Sequence, residues 1–193
     1  MTETAAAVDT GATTQVFVID PTQSVARYTL DEELMGAPKT VVGTTSLVSG
    51  EITINPAEPA NATIGTIQID ARDFATDSGR RDGAVRRFVL ASDRDEYQYI
   101  VFTPTAISGL PSTAQVGDSF EIQVTGDLTI SGTTQPVTFV TTVTVDSATQ
   151  IRGLAQTQVL RSEFNLNIPS VPSVANVTDE VQLELEFVAM AGG

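Results

Sequence analysis

FEIQVTGDLTISGTTQPVTFVTTVTV, residues 120–145, decides the fold class of this 193-residue chain. Phe120, Ile122, Val124, Leu128 and Ile130 fall on one face, with Glu121, Gln123, Thr125, Asp127 and Thr129 on the other. That period of two marks a half-buried antiparallel strand. SGTTQP then reverses the chain, and Val137, Phe139, Val143 and Val145 restart the alternation. Each strand has one apolar face to bury, against a second sheet or inside a barrel.

Similar signals extend in both directions. Residues 16–20, 24–30, 40–45, 48–55 and 63–70 form a first group of predicted strands, punctuated by Pro21, Pro38, Gly43 and NPAEPAN. Residues 97–105, 119–131, 136–145, 149–160 and 178–189 form a second, and β-branched residues fill both groups. Between them, DFATDSGRRDGAVRRFVLASDRDEY predicts one short helix of one or two turns, capped by Ser78 or Asp77, with Val85, Phe88 and Val89 near one side. Gly79 and Gly83 weaken it. The expectation is an all-β domain over residues 16–189, preceded by a flexible leader (1–15) and ending in a frayed stretch (190–193). An antiparallel barrel is favoured over a sandwich because it leaves fewer exposed edges.

Composition removes whole classes of chemistry. The chain has no Cys, His or Trp, so thiolate nucleophiles, disulfides, imidazole bases and thiolate zinc sites are unavailable. With 24 acidic against 10 basic residues, its net charge of −14 repels phosphate backbones and anionic surfaces at long range, and no nucleic-acid partner is expected. The apolar content of 41% belongs to a globular protein, and no run of 18 apolar residues provides a membrane-spanning segment. The opening MTETAAAVDTGATT reads as linker-like sequence, as would remain after a targeting segment is removed, or as an ordinary N-terminal tail.

Five segments in order resemble the YceI family of lipid- or polyisoprenoid-binding proteins. IDPTQSVARYTL (19–30) is similar to the family's opening strand, followed by GEITINP (50–56) and GTIQIDARDFATDSGRRDGAVR (65–86). TGDLTISGTTQPVTF (125–139) and RSEFNLNIP (161–169), the latter followed by DEVQLELEF (179–187), complete the set, so the resemblance covers roughly residues 16–188. It implies a lipocalin-like antiparallel β-barrel of about eight strands with one helix, and an apolar interior that holds an isoprenoid or similar amphiphile. Where many members carry His, this chain has Gln23 and Ala84, which removes any imidazole contact to a polar head group. The ARYTLDEELMG and PSVPSVANV stretches resemble a branch found on exported, often lipid-anchored bacterial proteins, which implies a periplasmic or cell-surface location.

Strand parity nominates an apolar lining of Val25, Ile52, Ile67, Phe102, Ile122, Leu128, Phe139, Val143, Val159, Leu166, Leu183 and Leu185. With the resemblance, the lining implies enclosure of a long apolar amphiphile: an isoprenoid quinone, a polyprenyl phosphate or a fatty-acyl lipid. The alternative is a self-filled core in an interaction module displayed at the cell surface. Arg80, Arg81, Arg86 and Arg87, with Arg72 and Arg94 nearby, are candidate head-group contacts, since guanidinium groups recognise phosphates and carboxylates by forked hydrogen bonds. They could equally pair with Asp73, Asp77, Asp82, Asp93 and Asp95.

Asp31–Glu32–Glu33 and SDRDE (92–96) lack the glycine and ligand spacing of an EF-hand and are expected to be solvated faces. No metal site and no catalytic residue is nominated. The expectation is a binding protein rather than an enzyme, monomeric or homodimeric, that needs no cofactor beyond a bound lipid.

Overall fold

The two segments that alternate most cleanly in the sequence become one long hairpin in the computed structural model, which describes residues 14–192. The strands in chain order begin with β1 (Gln15–Ile19), β2 (Val25–Leu34), β3 (Ala37–Thr45), β4 (Val48–Ser49), β5 (Glu51–Ile54), β6 (Thr63–Ile64) and β7 (Ile67–Asp70). A helix, α1 (Gly79–Ala84), runs on as a π-helical stretch (Val85–Val89), so that together they make 11 residues. Then come β8 (Tyr99–Ser108), β9 (Ser119–Ile130), β10 (Thr133–Ser147), β11 (Gln150–Leu160), β12 (Val174–Ala175) and β13 (Glu180–Ala191). In the β9–β10 hairpin Phe139 lies opposite Val124 and Val143 opposite Phe120, so the apolar parity of the two strands coincides across the ladder.

All thirteen strands belong to one strongly curled antiparallel sheet. Its main path runs β4-β7-β8-β9-β10-β11-β13-β1-β5-β6, and the two ends meet because β4 and β5 are separated in sequence by Gly50 alone. The edge of β13 is shared: β2 pairs at Gln182–Glu186, and β1 at Ala189–Ala191. β3 then pairs with β2, and β5 with β1. Counting β1 with β2, β3 with β4 and β5, and β6 with β7 as shared positions, and setting aside the two-residue β12, which pairs with the end of β2, leaves eight around the curl, the lipocalin-like plan.

Several boundaries differ from the sequence reading. The sequence pattern ends one strand at Leu30 and begins the next at Thr40, yet β2 continues through Leu34 and β3 begins at Ala37, with Met35 and Gly36 in the left-handed region at the tip. Residues 190–193 were expected to fray, but Met190 and Ala191 lie in the ladder opposite Val18 and Phe17. Gln15 belongs to β1 rather than to the leader, whose residues 1–13 lie outside the described residues. The helix is longer than the one or two turns expected. Ser78 caps it, its Oγ accepting from the Arg81 N–H, and its apolar side is fixed by Val85 packing on the core.

Two glycines of the sheet are explained by contact. A Cβ at Gly126, in TGDLTI, would sit 2.5 Å from the Thr103 carbonyl oxygen and 2.8 Å from the Phe102 ring. At Gly43 it would strike the ring of Tyr28, which lies opposite across the β2–β3 ladder. Both are places where an aromatic ring or a neighbouring strand needs the space a side chain would take.

Candidate functional site

The inward faces of the curled sheet enclose a cavity of about 920 Å³, a volume in the range of small-molecule sites. It is not an ordinary packing defect, because protein interiors hold few voids larger than a water molecule. β9 contributes Phe120, Ile122, Val124, Leu128 and Ile130 to its wall, and β10 contributes Phe139, Thr141, Val143 and Val145. Across it lie Phe17, Ile19, Ala155, Val181 and Phe187, and the helix adds Val85, Phe88 and Val89. Such a wall offers dispersion and hydrophobic burial to a long chain, roughly 0.8 kcal/mol for each CH₂ removed from water.

Eleven of the twelve nominated lining residues face this cavity: Ile52, Ile67, Phe102, Ile122, Leu128, Phe139, Val143, Val159, Leu166, Leu183 and Leu185. Val25 does not. In β2 the inward set is Ala26, Tyr28, Leu30 and Glu32, so the parity runs opposite to that expected from Val25. The register fixes this, since Ala26 stands opposite Leu185 of β13 and both point inward.

The same parity overturns the solvated reading for one member of the 31–33 acidic cluster, while Asp31 stays exposed. Glu32 turns inward and is only 8% exposed. Arg81 reaches it from the helix, with Nη2 2.8 Å from Glu32 Oε1, and also pairs with Asp77. Asp77 accepts a further bond from Lys39, and these two cations hold its carboxyl below the usual carboxylate range. Asp82 accepts from the backbone N–H and the hydroxyl of Thr76. Beside this network Tyr28 packs against Phe74, ring centroids 5.3 Å apart. Burial of its phenol, with Asp82 nearby, pushes its pKa up to about 12.

The four nominated arginines separate into two kinds. Arg81 is committed to carboxylates of the chain itself, whereas Arg80, Arg86 and Arg87 are exposed and form no ion pair among the described residues. Arg80 and Arg81 border the cavity, but Arg86 and Arg87 do not; Arg87 lies over the Phe88 ring at 6.0 Å. Arg72 pairs with Asp95, and Arg94 lies over Tyr97. Arg161, also at the cavity, donates to the carbonyls of Thr178 and Leu166, tying the segment after β11 to the start of β13.

Sequence parity missed the helix and loop residues of the wall. Phe88 borders the cavity while 60% exposed, and so do Val171 at the same end and Val116 in the loop between β8 and β9. Among the wall residues Thr141 stands out, because its Oγ1 is buried with no hydrogen-bond partner among the described residues. The alternation of β10 marks Thr141 as inward, between Phe139 and Val143, but its polar side chain kept it out of the apolar set.

A family model described as YceI-like domain matches residues 17–189. No curated protein matches the chain. Among solved structures it is similar to BcnA of Burkholderia cenocepacia, with a TM-score of 0.66 and 23% identity over 89% of this chain and 99% of that one. It is similar also to a polyisoprenoid binding domain from Saccharophagus degradans implicated in plant cell wall breakdown, with a TM-score of 0.70 and 16% identity over 91% and 98%. The YceI protein of Campylobacter jejuni matches with a TM-score of 0.56 and 17% identity over 76% and 81%. At these identities the solved structures speak for the fold, and the family match, which spans most of the chain, establishes that this protein belongs to the YceI family.

Proposed function

We propose that this protein binds a long apolar amphiphile in its cavity and carries or sequesters it by enclosure, without catalysing a reaction on it. The observation that carries this reading is the 920 Å³ cavity walled by apolar side chains from nearly every strand. A self-filled core would have closed that space. The ligand class is an isoprenoid quinone, a polyprenyl phosphate or a fatty-acyl lipid, and the likeness to a polyisoprenoid binding domain supports the first two. The tail lies among the β8–β11 side chains, with its polar end at the mouth beside the helix, where Arg80 is free of ion pairs among the described residues. We further propose that the protein acts after export, where a soluble carrier has membranes to serve.

The test is organic extraction of protein purified from its native host, followed by mass spectrometry. One lipid per protein is the expected result. An extract free of lipid, from protein shown to be folded, would overturn the proposal.

A further inference from the structure

Of the ten basic residues, six are held in ion pairs: Arg27, Lys39, Arg72, Arg81, Arg152 and Arg161. That leaves four without one among the described residues, and three of these, Arg80, Arg86 and Arg87, project from the 11-residue helix at the cavity mouth. Three carboxylates on or beside this helix are already engaged: Glu32 with Arg81, Asp77 with Lys39 and Arg81, and Asp82 with Thr76. In a chain of net charge −14, three cations at one end of the cavity form a local reversal of sign.

The same end exposes apolar side chains. Phe88 is 60% exposed, Val171 is 42% exposed, and both border the cavity. Met35, 86% exposed, sits at the tip of the β2–β3 hairpin, and its N–H bonds the carbonyl of Ser173, two residues from Val171. Another place where exposed residues border the cavity, around Gln115 and Val116, has Asp118 beside it and no basic residue between 95 and 151. Exposed aromatic and aliphatic groups flanked by unpaired arginines have the composition of a surface that enters the headgroup layer of a bilayer.

We infer that the helix end of the cavity is a docking surface for an anionic phospholipid bilayer, with Phe88, Met35 and Val171 entering the interface and Arg80, Arg86 and Arg87 meeting lipid phosphates. The inference rests on the lipid-carrier reading and extends it: the mouth opens against the membrane, so a ligand passes between bilayer and cavity without crossing water. The long-range repulsion of a −14 chain does not prevent this. At physiological ionic strength the Debye length is about 8 Å, so a bilayer in contact with the helix senses its arginines rather than distant carboxylates.

The experiment is co-sedimentation of the full chain with vesicles of phosphatidylglycerol and phosphatidylethanolamine, compared with phosphatidylcholine alone, alongside lipid extraction of each variant. The wild type is expected to sediment with the anionic vesicles and to be released by high salt. R86Q/R87Q should weaken that binding roughly tenfold or more, while its extracted lipid stays at the wild-type level, because neither side chain borders the cavity. F88S should weaken vesicle binding as well. Wild-type protein left in the supernatant, an R86Q/R87Q variant that binds as tightly as the wild type, or a solution dimer that buries Phe88 in place of vesicle binding would each overturn the proposal. Vesicle binding by protein that yields no lipid on extraction would uphold the docking surface while removing the cavity reading.

Discussion

Arg81 Nη2 stands 2.8 Å from Glu32 Oε1, joining the mouth helix to β2 across 49 residues of sequence. Both groups are largely withdrawn from water, their side chains 17% and 7% exposed. Removing one partner of such a pair leaves the other charged and buried, a loss of about 3 kcal/mol or more. R81M is therefore expected to lower the free energy of urea unfolding by that order. The double variant R81M/E32L should regain most of it, since no unpaired charge then remains. Equal losses in the single and double variants would show that the pair is not what holds the helix.

The pair also shows where sequence reasoning stops. Arg81 and Asp82 were legible as part of a matched motif, but whether Arg81 faces a ligand or a carboxylate depends on the parity of a strand 49 residues away. That parity was obscured because Val25 and Ala26 are adjacent and both apolar, whereas in β9 and β10 polar and apolar residues alternate strictly enough to place eight wall residues correctly. The cavity itself was not legible. Its volume depends on where β4, β5, β6 and β7 close the curl, a long-range relationship that no local pattern carries. Exposed Phe88 escaped for a related reason, as helical periodicity groups it with Val85 and Val89 and gives no sign that the helix ends over an opening.

Tyr28 connects the same region to alkaline pH. Its pKa is pushed up to about 12, chiefly by burial, above the value near 10 of an unfolded chain. The folded state thus holds the phenolic proton more tightly than the unfolded state, and the stability this contributes is complete below pH 10 and is lost as pH rises toward 12. The loss across that window is on the order of 2–3 kcal/mol. Y28F should flatten the decline, and ultraviolet titration should show one fewer late-ionising tyrosine. An unchanged pH profile in Y28F would assign the alkaline transition to other groups.

Thr141 leads to a gain in stability. Its buried Oγ1 has no partner among the described residues, so the hydroxyl is held out of water without compensation. T141V keeps the shape and removes the polar atom, and should raise unfolding free energy by about 1–2 kcal/mol. Thermal unfolding of ligand-free protein is the measurement, and a lower midpoint in the variant would mean that the hydroxyl is satisfied in solution.

Gly126 sits where β9 lies tight against β8, so even a methyl group must displace backbone at Thr103 or Pro104. Overpacking of this kind typically costs about 1–3 kcal/mol. G126A should fall in that range or above, because the obstacles include backbone atoms that no rotamer change can move. Gly79 has no atom within 4 Å of an added Cβ and lies in the helix, so G79A should be neutral or stabilising by up to about 1 kcal/mol. Denaturant unfolding of the two variants side by side separates a glycine required by packing from one that merely interrupts a helix.

Blocking the cavity tests its role without touching its mouth. Ala155 of β11 stands opposite Thr141 in the ladder and Leu185 on the other side, and its small side chain leaves the middle of the wall open. An indole placed there occupies space the proposed ligand needs, and with a cavity of about 920 Å³ available it can do so without the strain of a filled core. A155W should therefore fold with near wild-type stability, keep its affinity for anionic vesicles, and yield at most a small fraction of the lipid extracted from the wild type. Full lipid occupancy in A155W would place the ligand away from the middle of the cavity, and loss of vesicle binding together with lipid would show that docking depends on a loaded interior rather than on Arg86, Arg87 and Phe88 alone.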